Sequence, residues 1–223
     1  MWPAPAPTRS TAPRWTLVLP VQRAELGKSR LQAPEGVRHS DLARAIATDA
    51  LAAARACPLV AHRIVVTSDD VLGPAAAHAG DRVLADPGQG LSAAIAHGAR
   101  LAGRLAPAGP VAVLLLDLPA LTAGDLGAAL TSATAHPSAF VPDAEGTGTV
   151  LLTASAPGRL RPAFGGGSAR RHEQLGAVRL DLDLPRLRRD VDTAAALDEA
   201  LALGLGPATR DVLQPASVCG ADV

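Results

Sequence analysis

The chain contains no tyrosine, two phenylalanines and two tryptophans in 223 residues. Aromatics at 2% leave no platform on which nucleic-acid bases could stack. An excess of charge of either sign is missing too. Lys plus Arg and Asp plus Glu both number 21, so the formal net charge is zero, and neither a nucleic-acid nor an anionic-membrane partner is expected. Two cysteines, Cys57 and Cys219, lie far apart outside any CxxC pattern. They offer no disulfide framework and no zinc site, which suits a reducing cytoplasm. The six histidines are scattered, and none has the i, i+4 partner of a zincin helix. The longest apolar run, 111–116, is far short of the roughly 20 residues needed to span a bilayer. The opening MWPAPAPTRSTAPRW lacks the apolar centre of a signal peptide.

What remains is a chain that is 48% apolar, enough for one sizeable core. Residues 1–14 read as a Pro-rich disordered tail, 15–206 as one domain, and 207–223 as an irregular C-terminal tail. Four short apolar runs, 15–20, 63–67, 111–116 and 150–153, look like buried parallel strands. Helical spacing fills 40–55 (with Ser40 and Asp41 at the cap), 90–106, 123–135 (behind Thr122) and the stretch to about 204 behind Asp192 or Thr193. Strands alternating with helices predict an α/β fold.

In open parallel sheets, ligands sit at the carboxyl ends of the strands. Four polar clusters fall there. PVQRAELGKSRL follows the first strand, with Lys28 and Arg30 as charges for a triphosphate or simply a solvated basic loop. TSDD, with Ser68, Asp69 and Asp70, follows the second. LDLPALT follows the third, and Asp117 there is either a helix-entry cap or a metal ligand. In RRDVDT, Asp190 and Asp192 would share one face of an extended segment and supply further carboxylates, although Asp192 could merely cap a helix. Beyond the fourth strand, FGGGSARRH places backbone N–H groups of residues 165–167, the Ser168 hydroxyl and Arg170 or Arg171 where an anion could sit. EGTGT, at 145–149, is a second small-residue loop with hydroxyls. DLD, at 181–183, reads as an alternating edge strand rather than as a metal motif.

Taken in order, LPVQRAELGKSRL, VVTSDD, DPGQGLSAAIAHG, LLLDLPALTAGDL, VPDAEGTGTVLL, FGGGSARRH and RRDVDTAAAL resemble the CofC/FbiD family, guanylyltransferases of coenzyme F(420) biosynthesis. The resemblance covers roughly 15–205. It implies a single-domain Rossmann-like (GT-A-like) nucleotidyltransferase fold with a mixed, mostly parallel sheet flanked by helices. It also implies Mg2+-dependent attack of a substrate phosphate on the α-phosphate of GTP. The acid is phosphoenolpyruvate in actinobacterial members, which the Ala/Arg/Pro-rich composition favours, and 2-phospho-L-lactate in archaeal ones. By motif, Asp117, Asp190 and Asp192 would hold metal, with Lys28 and Asp117 catalytic. Thr149, Gly165 and Ser168 would hold the phosphorylated acid. Lys28, Arg30, Ser68, Asp69 and Gly90 would bind the nucleotide. A downstream transferase of the same pathway is an implied partner.

Three positions differ from the family pattern: Gln22 for Lys, Leu116 for Gly and Ser92 for Asn. They keep a second class of reading open, a nucleotide-binding protein without turnover. 3-Phosphoglycerate is a further candidate acid. A molybdopterin-type nucleotidyltransferase is a rival, but LPVQRAELGKSRL stands where such enzymes carry LAAGxSxRxG.

Overall fold

The computed structural model describes residues 14–21 and 33–214. Seven strands form one sheet. They are β1 (Trp15–Pro20), β2 (Val60–Val66), β3 (Arg82–Leu84), β4 (Val111–Leu114), β5 (Ser138–Pro142), β6 (Thr149–Ala154) and β7 (Val178–Arg179), in the order β3-β2-β1-β4-β6-β5-β7. The first four are parallel, in register through Val18↔Ile64 and Val18↔Val113. The run at 150–153, expected to be parallel, is the centre of β6, which pairs antiparallel with both β4 and β5. Only the short loop 143–148 joins β5 to β6. Such a loop can close a hairpin but cannot cross the sheet to make a parallel pair. With β7 parallel to β5, β6 is the single reversed strand, and the sheet is mixed and mostly parallel.

Alternation along the strands divides the core between two faces. Leu17 and Leu19 pack with Leu51, Leu114, Leu126 and Leu130 beneath α1 (His39–Ala56) and α4 (Ala123–Ala133). Val18 points the other way, with Ile64, Val66 and Val113, toward Ile95 and Ala102 of α3 (Leu91–Leu105). That approach depends on Gly98, because a Cβ there would run into the Val18 side chain. The helix caps follow the sequence in part. Thr122 accepts from the Asp125 amide at 3.1 Å, and Thr193 accepts from the Ala196 amide at 3.2 Å. At α1 the cap position is Arg38, with no side-chain cap, and Asp41 pairs with Arg38 at 2.7 Å from within the first turn.

Several elements are too short for a hydrophobic period to register: β3, β5 and β7, together with α2 (Leu72–His78), α5 (Ser168–Gln174) and α6 (Pro185–Arg188). DLD is not a strand. β7 ends at Arg179, whose guanidinium binds Asp181 at 2.8 Å. The segment after 206, patternless in the sequence, opens with α8 (Pro207–Leu213). Asp49, buried in α1, accepts from the amides of Ala208 and Thr209 and from the Thr209 hydroxyl at 2.6–3.0 Å. It thereby caps a helix that lies 160 residues away in sequence. The backbone passes so close at Gly206 that any Cβ there would strike the Asp49 carboxylate. Between α6 and α8 lies α7 (Ala194–Leu203); Leu197 and Ala200 pack on Leu42 and Ile46.

Candidate active site

Four aspartates gather where β4 and β5 end. Asp117 follows β4, Asp143 follows β5, and Asp190 and Asp192 lie on the segment before α7. A backbone hydrogen bond from the Val191 amide to the Asp117 carbonyl, 2.9 Å, fastens that segment to the end of β4. Asp190 feels the crowding most. Its own burial, then the neighbouring charges of Asp117, Asp192 and Asp143, push its pKa up to about 7. Hard oxygen donors at this density suit a divalent cation.

Oxygens of Asp143, Glu145 and Asp190 lie within 4.8 Å of one another. Two of these three already have partners. Asp143 accepts from the amides of Thr147 and Gly148, at 2.8 and 2.7 Å, and so shapes its own loop. Glu145 is bound by Arg189, which lowers its pKa. Arg189 also reaches Glu199 at 2.8 Å. Sequence reasoning passed over Asp143 because it depended on recognising β5, although VPD at the end of an apolar run offered the signal.

The second part of the site is the turn that opens with Phe164. Gly165 and Gly167 have φ of +106° and +70°, conformations that favour glycine. Arg171, expected as a charge for an anion, is used otherwise. It donates to the carbonyls of Ala163 and Phe164, both at 3.0 Å, and of Gly166 at 2.5 Å. In a trans peptide the N–H points opposite to the C=O. Drawing those three carbonyls to one guanidinium therefore turns the amides of Phe164, Gly165 and Gly167 away from it. Arg170 is exposed. Ser168 is 2% exposed, and its hydroxyl has no hydrogen-bond partner among the described residues. The Ala169 amide binds the Thr147 carbonyl at 3.1 Å, which brings this turn against the loop before β6. Thr149, 4% exposed, opens β6. Its hydroxyl lies 2.9 Å from Nδ1 of His172, a residue that the scattered-histidine reading gave no role.

The third part surrounds the end of β2. Asp69 is buried, accepts from the amides of Val71 and Leu72, and receives Arg44 at 3.0 Å. It therefore caps α2 and holds the loop in shape. Ser68 accepts from the Asp86 amide at 3.2 Å, which links this loop to DPGQG. There Gly90, at φ +85°, is the cap residue of α3. Lys28 and Arg30, like Gln22, lie outside the described residues.

Residues 43–190 match the MobA-like NTP transferase domain. A phosphoenolpyruvate guanylyltransferase from Streptomyces coelicolor is 48% identical over 211 residues, covering 93% of this chain and 99% of that one. Another, from Salinispora arenicola, is 49% identical over 199 residues, covering 87% and 91%. The chain belongs to the phosphoenolpyruvate guanylyltransferase family. It is a nucleotidyltransferase. A nucleotidyl transferase from Methanothermobacter shares the fold at 17% identity, with a TM-score of 0.57 over 85% of this chain and 98% of that one. Within this guanylyltransferase family member, the sheet edge sets Asp117 and Asp192 near enough for their charges to act on Asp190, while the oxygens that converge within 4.8 Å are those of Asp143, Glu145 and Asp190. The Thr147–Ala169 contact sets Thr149 near Ser168 and Gly165. Among the described residues no helix is long and apolar enough to cross a membrane.

Proposed function

We propose that the protein joins GTP to phosphoenolpyruvate, giving enolpyruvyl-2-diphospho-5'-guanosine and pyrophosphate, as a cytoplasmic step of coenzyme F(420) biosynthesis. The observation that carries this reading is the pairing of two different sites on one sheet edge. A crowd of carboxylates around Asp190 suits a cation. Beside it, the Ser168 hydroxyl, without a partner among the described residues, and the glycine-turn amides that face away from Arg171 suit a small anion.

Asp117, Asp190 and Asp192 would hold Mg2+; Asp143 and Glu145 are engaged by their own loop and by Arg189. When bound, Mg2+ neutralises charge on the triphosphate oxygens and on the departing pyrophosphate. Lys28 and Arg30 add cations to the same triphosphate. Asp69 acts through the loop it shapes, leaving Ser68 and the backbone around Gly90 to meet the nucleoside. Thr149, Gly165 and Ser168 hold the acid, so that an oxygen of its phosphate lies in line with the α-phosphorus of GTP. A new P–O bond forms there as the bond from the α-phosphorus to the bridging oxygen breaks, and pyrophosphate leaves with the electron pair. Orientation and charge neutralisation are the protein's whole contribution to such a reaction.

The test is pyrophosphate release from GTP with phosphoenolpyruvate, 2-phospho-L-lactate or 3-phosphoglycerate, in magnesium and then in EDTA. Release that needs phosphoenolpyruvate and stops in EDTA is expected. GTP bound tightly with no release from any acid would instead favour a binding protein. Paired titrations of Ser168→Ala separate the two subsites: weaker acid binding with GTP affinity kept is expected, and the opposite pattern would make the glycine turn a triphosphate cradle.

A further inference from the structure

His172 is fully buried and is held between the chain's two phenylalanines. Its ring centroid lies 5.8 Å from that of Phe140 and 5.1 Å from that of Phe164, edge-on to the latter. The Ala163 amide lies 2.9 Å from Nε2. A backbone N–H can only donate, so Nε2 must be the acceptor and must carry no proton. The one proton of the neutral ring is then on Nδ1, 2.9 Å from the Thr149 hydroxyl oxygen. An imidazolium would set a second N–H against the Ala163 amide. The apolar cage and neighbouring Arg171 oppose it as well, with burial the larger cause and a pKa drawn down to about 4.

We infer that His172 is a positioning residue that makes the Thr149 hydroxyl an obligate hydrogen-bond donor to an anionic oxygen of the acid. The inference rests on the reading of Thr149 as part of the acid subsite. The Thr149 oxygen accepts a hydrogen bond from Nδ1–H, so its own hydroxyl hydrogen has to go elsewhere. No acceptor for it exists among the described residues, and at 4% exposure the group has little access to bulk water. Such a hydroxyl matches an ionised carboxylate or phosphate oxygen and mismatches a ligand group that must itself donate. His172 thus fixes polarity where Ser168, which has no such neighbour, remains able to turn.

The experiment compares two amides that each imitate one side of the ring. Asparagine reaches the Nδ1 position and can donate to Thr149, but releases Ala163. Glutamine reaches the Nε2 position and can accept from Ala163, but leaves Thr149 without its donor. His172→Gln should raise the apparent KM for phosphoenolpyruvate about tenfold, the loss of one well-oriented bond to a charged group, with the KM for GTP and the melting temperature little changed. His172→Asn should stay within about threefold. In a Thr149→Val background, His172→Gln should cost nothing further, because the interaction it supports is already gone. A purely structural histidine gives another result: both KM values and the melting temperature move together, and His172→Asn is the worse variant. If Thr149→Val alone leaves the acid KM unchanged, the acid-subsite reading fails. If Thr149→Val raises it and His172→Gln does not, that reading stands and this inference falls. Should the variants not fold, 15N NMR of the wild-type imidazole decides the matter. A proton on Nδ1 with a bare Nε2 is expected, and a proton on Nε2 overturns the inference.

Discussion

Three buried aspartates and one half-buried aspartate in this molecule meet opposite fates. Asp49, Asp69 and Asp81 are each at most 7% exposed, and each is answered. Asp49 takes two amides and a hydroxyl. Asp69 takes two amides and Arg44. Asp81 takes Arg55 at 2.6 Å and Arg63 at 2.5 Å. Asp190, half-buried, is surrounded by Asp117, Asp192 and Asp143. A buried charge that is answered holds a fold together. One crowded by its own sign costs folding energy and persists where a ligand repays that cost. On the proposed reading, the difference separates the aspartates that hold the fold from those that would bind metal.

The sharpest break in that comparison is expected from the crowded group. Asp117→Ala and Asp190→Asn should each cut turnover by ~100-fold or more, the order seen on losing one strong electrostatic stabiliser. The melting temperature in EDTA should hold or rise, because a repulsion has been relieved. Near-normal turnover in either variant would remove that residue from the metal site. Asp49→Ala should do the reverse. It strands two amides and a hydroxyl, at a cost of about 2–4 kcal/mol. Protein that remains folded should keep its KM values, and urea unfolding followed by assay of the folded fraction reads both.

Acid titration sharpens the comparison further. The pKa of Asp190 is raised by folding, so the folded state holds its proton to higher pH than the unfolded chain. Its contribution to stability is full below about pH 4 and falls as pH rises toward 7. His172 is shifted down, so its contribution is full above about pH 6.5 and falls as pH drops toward 4. The two slopes oppose each other across the same window. In EDTA, Asp190→Asn should therefore steepen the loss of stability on acidification, and His172→Asn should flatten it. Melting temperatures from pH 4 to 7 are the check, and the same slope in both variants would contradict the assignment.

The smallest effect concerns the segment that follows β1 in the sequence. Lys28 is the only lysine in the sequence, so an amine-directed reagent has one side-chain target. GTP with magnesium should slow its modification several-fold by mass spectrometry, and Lys28→Ala should raise the KM for GTP. Modification at an unchanged rate would make Lys28 a solvated surface residue.

Much of this was legible before any coordinates. Apolar runs marked β1, β2, β4 and β6, and the rule that ligands collect at strand ends singled out Asp117; Asp190 and Asp192 came from the spacing of RRDVDT and the family resemblance. The direction of β6 was not legible, because an apolar run of that length reads the same in either sense. Asp143 was hidden behind β5, whose SAFVP begins with small residues and ends in proline. The fates of Asp69 and Arg171 were also hidden. TSDD and ARRH show charge, but whether a charge faces a ligand or its own backbone is decided by three-dimensional neighbours. His172 lay within FGGGSARRH, but the motif gave it no role, since its partners Ala163 and Thr149 and its two phenylalanines meet only in the folded chain.

The capping of α8 by Asp49 also bears on the order in which the chain matures. During synthesis α1 emerges early, and its aspartate must wait for Thr209. Until then, docking α1 onto the sheet would bury a carboxylate with none of these three donors. The α1 face should therefore remain loosely docked until α8 has emerged. Contacts of such long sequence separation slow folding. The last described helix should thus complete the burial of α1.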